Sequence, residues 1–539
     1  MSKSLGMKGY MKGALLLTLS ALIVKALSAV YRVPFQNLVG DQGFYVYQQV
    51  YPFISLFVVW TSGGFAVAIS KMLADVDIGK KSTHHQKGFI SRTIFQYLTV
   101  LSLIFFAILF FGAEWLATLM GDQELAMLLR TGSFVTLFMP ILSLMKGIFQ
   151  SKGEMTPVAY AQVFEQAIRV SIILIGAILV MTTSKSLYLA GNMAILGTVI
   201  GEIAGVLLLI YYTKKLTSIP RLKKNNRQKK WPIIKEVTAL SLSVSMSSLL
   251  LLGFQLIDSF TVYSLLLETG MNEQTAKITK GIYDRGQPLV QLGIIIASSL
   301  SLAIVPLVAH YSKKQSGRGA IPFIQLTFRS SIIFGVAAAL GLVIVMPYVN
   351  EMLFETNSLS AILKIYVLQI IPLSIILTFT AILQGYGKLK IPALILIGVL
   401  LVKVIGNFTL IPKLSLLGVA LTSNFALFLC AFILMIYLKR VTQVRYASSN
   451  FYIKLLLASL SMVISVFLSE RILIFTCEGL FSGRLKAVFF ALCLVGIGAF
   501  VFLTFVAKSR MLVEKEWFLL PFGRKMAGYQ LWLNKKSRW

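Results

Sequence analysis

Asp284 and Arg285 set an acid beside a base near the start of an apolar stretch, GIYDRGQPLVQLGIIIASSLSLAIVPLVAH at 281–310, that is long enough to cross a bilayer. A charge at the centre of a membrane helix costs about 2.5–3.5 kcal/mol on insertion scales, so such residues gather where they face a wet or protein-lined cavity. Two readings stay open for this pair: it lines a cavity, or it reaches the interface and neutralises itself. Other charges lie deep in apolar runs, namely Lys25, Glu165, Arg169, Glu202, Asp258 and Lys403, with Arg32, Arg130 and Arg285 nearer the outer ends. Glu165 and Arg169 are four residues apart and share a helix face, so they can balance each other. Lys25 and Lys403 have no acid within a turn on their own helices and need a partner from another helix, an anion or water. Cations of this kind suit an anionic ligand, and the arginine fork suits phosphate oxygens. Asp258, Glu165 and Glu202 are the candidate carboxylates for coupling to an ion. Gly63 and Gly64 in SGGF, and Pro288, are candidate gating bends; Pro140, Pro306 and Pro372 punctuate other segments.

The elements that hold these residues are membrane helices. Of 539 residues, 57% are hydrophobic and 13% charged, and apolar runs of about 20 residues recur, as a hydrocarbon core about 30 Å thick demands. Fourteen segments are expected, at 13–35, 45–70, 90–113, 126–150, 157–181, 188–213, 237–266, 281–310, 320–347, 360–385, 391–411, 416–438, 453–474 and 484–507. Lysine and arginine alternate with them. They crowd alternate loops, including 71–87, 313–318, 439–445 and the tail from 508, and the intervening loops carry Glu114, Asp122, Glu124, Glu268, Glu273, Glu351 and Glu355. This predicts an even number of spans with both termini in the cytoplasm. The first apolar run is long, contains Lys25 and lacks a small-residue cleavage site, so it reads as a span and not as a signal peptide.

The formal net charge of +31 follows from those loops, and it points to topology and anionic lipid, not to nucleic acid. No metal site is expected from Cys430, Cys477, Cys493, His84, His85 and His310. No Walker loop or G-x-S-x-G element suggests catalysis, and no cofactor is expected beyond coupling to the membrane potential or an ion.

The chain also repeats itself. Tyr47 and Pro52 match Tyr283 and Pro288; IFQSKGEMTP at 148–157 matches ILQGYGKLKIP at 382–392; Arg169 and Lys403 each follow the glutamine of that motif by nineteen residues; IYYTKK at 210–215 matches IYLKR at 436–440. Matches in one register predict two parallel six-helix repeats, with the last two helices appended. The expected divisions are 1–213, a basic cytoplasmic linker 214–236, 237–440, helices thirteen and fourteen within 441–507, and a basic cytoplasmic tail 508–539.

On FEQAIRV at 164–170, the QSKGEMTP turn and GIYDRGQP at 281–288, the chain resembles the multidrug/oligosaccharidyl-lipid/polysaccharide exporter superfamily. Within that superfamily it is most similar to the polysaccharide-biosynthesis branch with the stage V sporulation protein B group and the MurJ-type lipid II flippases. The resemblance implies an all-α polytopic protein of the bacterial cytoplasmic membrane, with two six-helix lobes in a V around a cationic cavity. Its last two helices would border a groove for a lipid tail. It would work as a monomer and, without enzymatic chemistry, move an undecaprenyl-pyrophosphate-linked sugar from inner to outer leaflet. Carried over, the cavity cations fall near Lys25 and Arg32 and on Arg285, with Asp284, Arg169 and Lys403 as further substrate contacts. The lipid II flippases have a basic residue after the second-helix proline, and this chain has none from Pro52 to Ser70. The alternatives are a multidrug/cation antiporter of the same superfamily, which calls for a carboxylate in helix one, and a membrane polysaccharide polymerase, which calls for a large outer loop.

Overall fold

The computed structural model describes residues 16–17, 19–78, 84–216, 229–295, 297–299, 308, 318–388, 390–477, 482–518 and 523–536, and among these there is no β-strand. The chain forms two compact units, Met1–Asp284 with Lys403–Ser415, and Arg285–Val402 with Leu416–Trp539. The first unit contains α1 (residues 19–30), α2 (Arg32–Val59), α3 (Ala66–Ile78), α4 (His84–Phe111), α5 (Ala113–Leu119), α6 (Ala126–Ser133), α7 (Met139–Ser151), α8 (Met155–Thr183), α9 (Leu187–Leu216), α10 (Trp231–Glu268) and α11 (Glu273–Asp284). The second contains α12 (Gly286–Gly293), α13 (Ile321–Phe354), α14 (Ser360–Val367), α15 (Ile370–Gly385), α17 (Leu416–Thr442), α18 (Ser449–Cys477), α19 (Gly483–Lys508), α20 (Glu514–Trp517) and α21 (Gly523–Lys536), and α16 (Lys390–Leu414) is divided between the two units. These units describe packing; the repeat division at 214–236 is a reading of the sequence and stands as proposed.

Among the described residues, twelve stretches are long and apolar enough to cross a membrane. The first, Leu19–Val76, runs 58 residues and takes in the segment expected at 45–70 and the part of 13–35 from residue 19 on. No such stretch falls at 281–310, where residues 296, 300–307, 309 and 310 lie outside the described residues. The protein is therefore an all-helical, multi-pass membrane protein, and the count of fourteen is a proposal. Large apolar side chains point outward, among them Phe111 (78% exposed) and Phe475 (86%), as lipid as solvent permits. Inside the first unit, Phe65, Ile69, Leu73, Ile94, Leu98, Met139 and Val237 form a core.

Three backbone features position the charged residues. Gly40, at φ 69° and ψ −177°, occupies a region open almost only to glycine and splits α2 into two limbs. Against this break lies α11: a Cβ on Gly281 would stand 2.0 Å from the Asp41 carbonyl oxygen, so only glycine lets the two backbones meet. Second, the expected bend at SGGF is a π-helical turn, Trp60–Phe65. Gly64 faces Ser245 and Ser241 of α10, where a Cβ would fall 2.4 Å from the Ser245 hydroxyl, whereas Gly63 opens onto nothing within 4 Å. Third, the helix is interrupted at Arg285, and Pro288 in the first turns of α12 removes a donor from the ladder there.

Candidate functional site

In the first unit, α7, α8 and α9 bring together four buried charges. Glu165 accepts from Arg169 at 3.1 Å and from Lys146 at 3.2 Å; Arg169 also donates to Glu202 at 3.2 Å and to Gln166 at 3.2 Å. Lys146 is fully buried and donates to the Ser62 hydroxyl at 2.8 Å, which ties the network to the π-turn. Two cations face two carboxylates, so their formal charges balance. Lys146 is the member that sequence reasoning missed, although it is the one lysine inside the segment expected at 126–150.

A second group is built by α1, α2, α10, α11 and the 403–415 stretch. Lys403 finds its partner on another helix, Asp258 at 2.7 Å, and Asn407 donates to the same carboxylate at 3.0 Å and to Thr261 at 2.8 Å. Asp284 takes its ion pair from Lys280, one turn earlier on α11, at 2.6 and 2.7 Å to its two oxygens. Arg32 is fully buried and has no ion pair among the described residues; none of its three guanidinium nitrogens makes a well-aligned hydrogen bond, although the Tyr31 and Tyr51 hydroxyls stand close enough to interact with it. Its guanidinium stands 4.5 Å from the centre of the Tyr51 ring, in a shell that includes Tyr31 and Tyr47, whose hydroxyls bond each other at 2.5 Å. Asp284 lies within electrostatic reach of both Arg32 and Asp258. Among the described residues this group counts three cations, Arg32, Lys280 and Lys403, against two carboxylates. Lys25, seven residues before Arg32, is exposed on α1 and has no ion pair among the described residues.

Arg285 belongs to the second unit. It is fully buried, donates to the Asn350 side chain at 3.0 Å and to the Thr356 hydroxyl at 2.9 Å, and stands 5.2 Å from the Phe354 ring. The acid and base that adjoin in sequence thus part in space, Asp284 to Lys280 and Arg285 to the C-terminal end of α13. Gly286 beside it packs under Tyr366, whose ring would lie 2.5 Å from a Cβ there.

A third group was not legible in the loop charges. Asp122, expected in a loop, and Lys277 are both buried. Asp122 accepts from Tyr188 at 2.7 Å, Tyr45 at 3.2 Å and Lys277 at 3.4 Å, and Lys277 also donates to Tyr188 at 2.8 Å. Among the described residues no set of three histidine, cysteine or acidic side chains is placed to hold a metal.

Residues 10–312 match the family described as polysaccharide biosynthesis protein. The chain is 33% identical over 534 residues to the uncharacterized membrane protein YabM of Bacillus subtilis (strain 168), covering 98% of each chain. It is 24% identical over 435 residues to the lipid II flippase MurJ of the same organism, 77% of this chain and 79% of that one. Among solved structures, a lipid II flippase MurJ in an inward closed conformation aligns with a TM-score of 0.68 at 17% identity, over 92% of this chain and 99% of that one, which is a likeness of fold.

Proposed function

The chain belongs to the polysaccharide biosynthesis protein family, within the multidrug/oligosaccharidyl-lipid/polysaccharide exporter superfamily, and on that premise we propose that it carries a polyprenyl-pyrophosphate-linked sugar from inner to outer leaflet by alternating access. The observation that carries the proposal is Arg32. Taking a guanidinium out of water costs several kcal/mol even after relaxation, and a desolvated contact with one aromatic face returns about 2 kcal/mol. The shortfall is what a diphosphate would offset, by accepting from a guanidinium that no carboxylate among the described residues pairs, in a cleft of low dielectric. Lys25, seven residues earlier on the preceding helix α1, adds a second cation to the proposal, and Arg285 and Asp284 enter it as further substrate contacts. Arg169 and Lys403 reach an anion only by leaving Glu165, Glu202 and Asp258, which makes those three carboxylates the ones that a coupling proton or cation would meet. Gly63, Gly64 and Pro288 are the proposed bends. MurJ of Bacillus subtilis, a relative over most of this chain, is named for lipid II; the substrate here is proposed as lipid II or a related envelope precursor.

The test is depletion of the protein in its host cell with identification of the lipid-linked precursors that build up. Accumulation of a polyprenyl-pyrophosphate sugar in the inner leaflet is expected. An unchanged precursor pool together with altered export of cationic drugs would instead favour the antiporter.

A further inference from the structure

We propose that the second unit carries a separate docking site for the phosphodiester headgroup of an anionic membrane lipid, in a basic cavity where α13 and α18 begin and α17 and α19 end. The cavity encloses about 400 Å³. Four cations line it, Arg329, Arg445, Lys454 and Arg510, and no carboxylate does. Arg329 pairs with Glu516, and Lys454 donates to the Ser509 carbonyl at 2.7 Å, a neutral acceptor that leaves its charge in place. Arg445 and Arg510 are exposed and make no ion pair among the described residues. One carboxylate against four cations leaves a surplus that a phosphate would balance.

The cavity is built and braced. Gln325 holds the Arg445 carbonyl at 2.8 Å. Tyr446, buried at the floor, donates to the Met435 carbonyl at 3.1 Å and packs its ring 5.1 Å from Phe328 and 5.3 Å from Phe379. The first residues of α18, Asn450 and Phe451, form part of the wall, so the positive end of a 29-residue helix faces the same space.

Membrane lipid, not free phosphate, is the source that the surroundings fit. Past the cavity, α18 exposes Ile453 (57%), Leu456 (60%) and Leu460 (47%), an apolar track for acyl chains. Beside it α21 packs on the end of α19, with Leu531 and Trp532 exposed alongside Arg524, Lys525 and Lys535. Aromatic, apolar and basic residues on one short helix are the composition of an element at headgroup depth, where basic pockets between helix ends recognise anionic lipids.

The experiment measures thermal unfolding of the detergent-purified full chain with dihexanoyl-phosphatidylglycerol, dihexanoyl-phosphatidylcholine or inorganic phosphate. The wild type is expected to gain stability saturably with phosphatidylglycerol alone. Arg445→Gln with Arg510→Gln should unfold at the wild-type temperature without lipid and lose about thirty-fold in apparent lipid affinity, while Arg445→Lys with Arg510→Lys retains most of it. A wild-type response in the glutamine pair would overturn the site. An equal response to phosphatidylcholine or inorganic phosphate would overturn the anionic lipid as its occupant. Should the glutamine pair fail to fold, the same readings are taken on Arg445→Gln alone. None of these readings depends on transport.

Discussion

At the scale of single residues, the buried charges divide into groups that balance and one that does not. In the balanced group of Lys146, Glu165, Arg169 and Glu202, removing one member strands a partner in low dielectric, which costs about 3–5 kcal/mol, whereas removing a cation and an anion together keeps the remainder neutral. Lys146→Met should therefore lower the unfolding temperature of the purified protein sharply, and Lys146→Met with Glu165→Gln should recover most of the loss; additive losses would show that the four do not act as a unit. The Glu165 and Arg169 pair was legible because helical spacing alone brings i and i+4 together. The partners Glu202 for Arg169 and Asp258 for Lys403 come from other helices, and no local period encodes which helices adjoin. The sequence places Asp122 among loop charges and does not reveal its burial, because burial of a loop is decided by the helices that close over it.

At the scale of elements, glycine decides where helices touch and where they yield. Gly281→Ala would drive a methyl into the Asp41 carbonyl, a backbone atom that cannot step aside, and should cost about 1–3 kcal/mol of stability, while Gly341→Ala on α13, with nothing within 4 Å, should be neutral or stabilising. Comparing the two unfolding temperatures checks this; equal effects would mean that α11 does not need close approach to the break at Gly40. The π-turn offers a parallel test of gating. Gly63→Ala meets no neighbour and favours helix, so it should raise the unfolding temperature and slow transport if the turn flexes during the cycle. A variant that is more stable and transports at the wild-type rate would remove Gly63 as a hinge. SGGF was visible in sequence because two adjacent glycines weaken a helix wherever they fall, but its π geometry and the packing of Gly64 on α10 depend on a distant segment.

At the scale of the whole molecule, hydropathy and loop charge reveal a multi-pass helical protein, because a bilayer accepts little else. They do not reveal that α10 and α11 pack within the first unit, since that choice rests on side chains meeting across helices. Orientation is testable directly: in a background freed of Cys430, Cys477 and Cys493, a cysteine at Asn357 should react with an impermeant thiol reagent in intact cells and one at Asn450 should not, and the reverse pattern would invert the topology. The central claim, that Arg32 is held without a paired carboxylate among the described residues in order to take an anion, separates function from fold. Its most direct test is transport of a labelled polyprenyl-pyrophosphate-linked sugar by the full chain in reconstituted vesicles, read beside the unfolding temperature of Arg32→Gln. Loss of transport to the level of protein-free vesicles, with an unfolding temperature unchanged or raised because a costly buried charge has gone, is the predicted result. Wild-type transport by the variant, or a marked fall in its stability, would contradict the account and make Arg32 a structural residue.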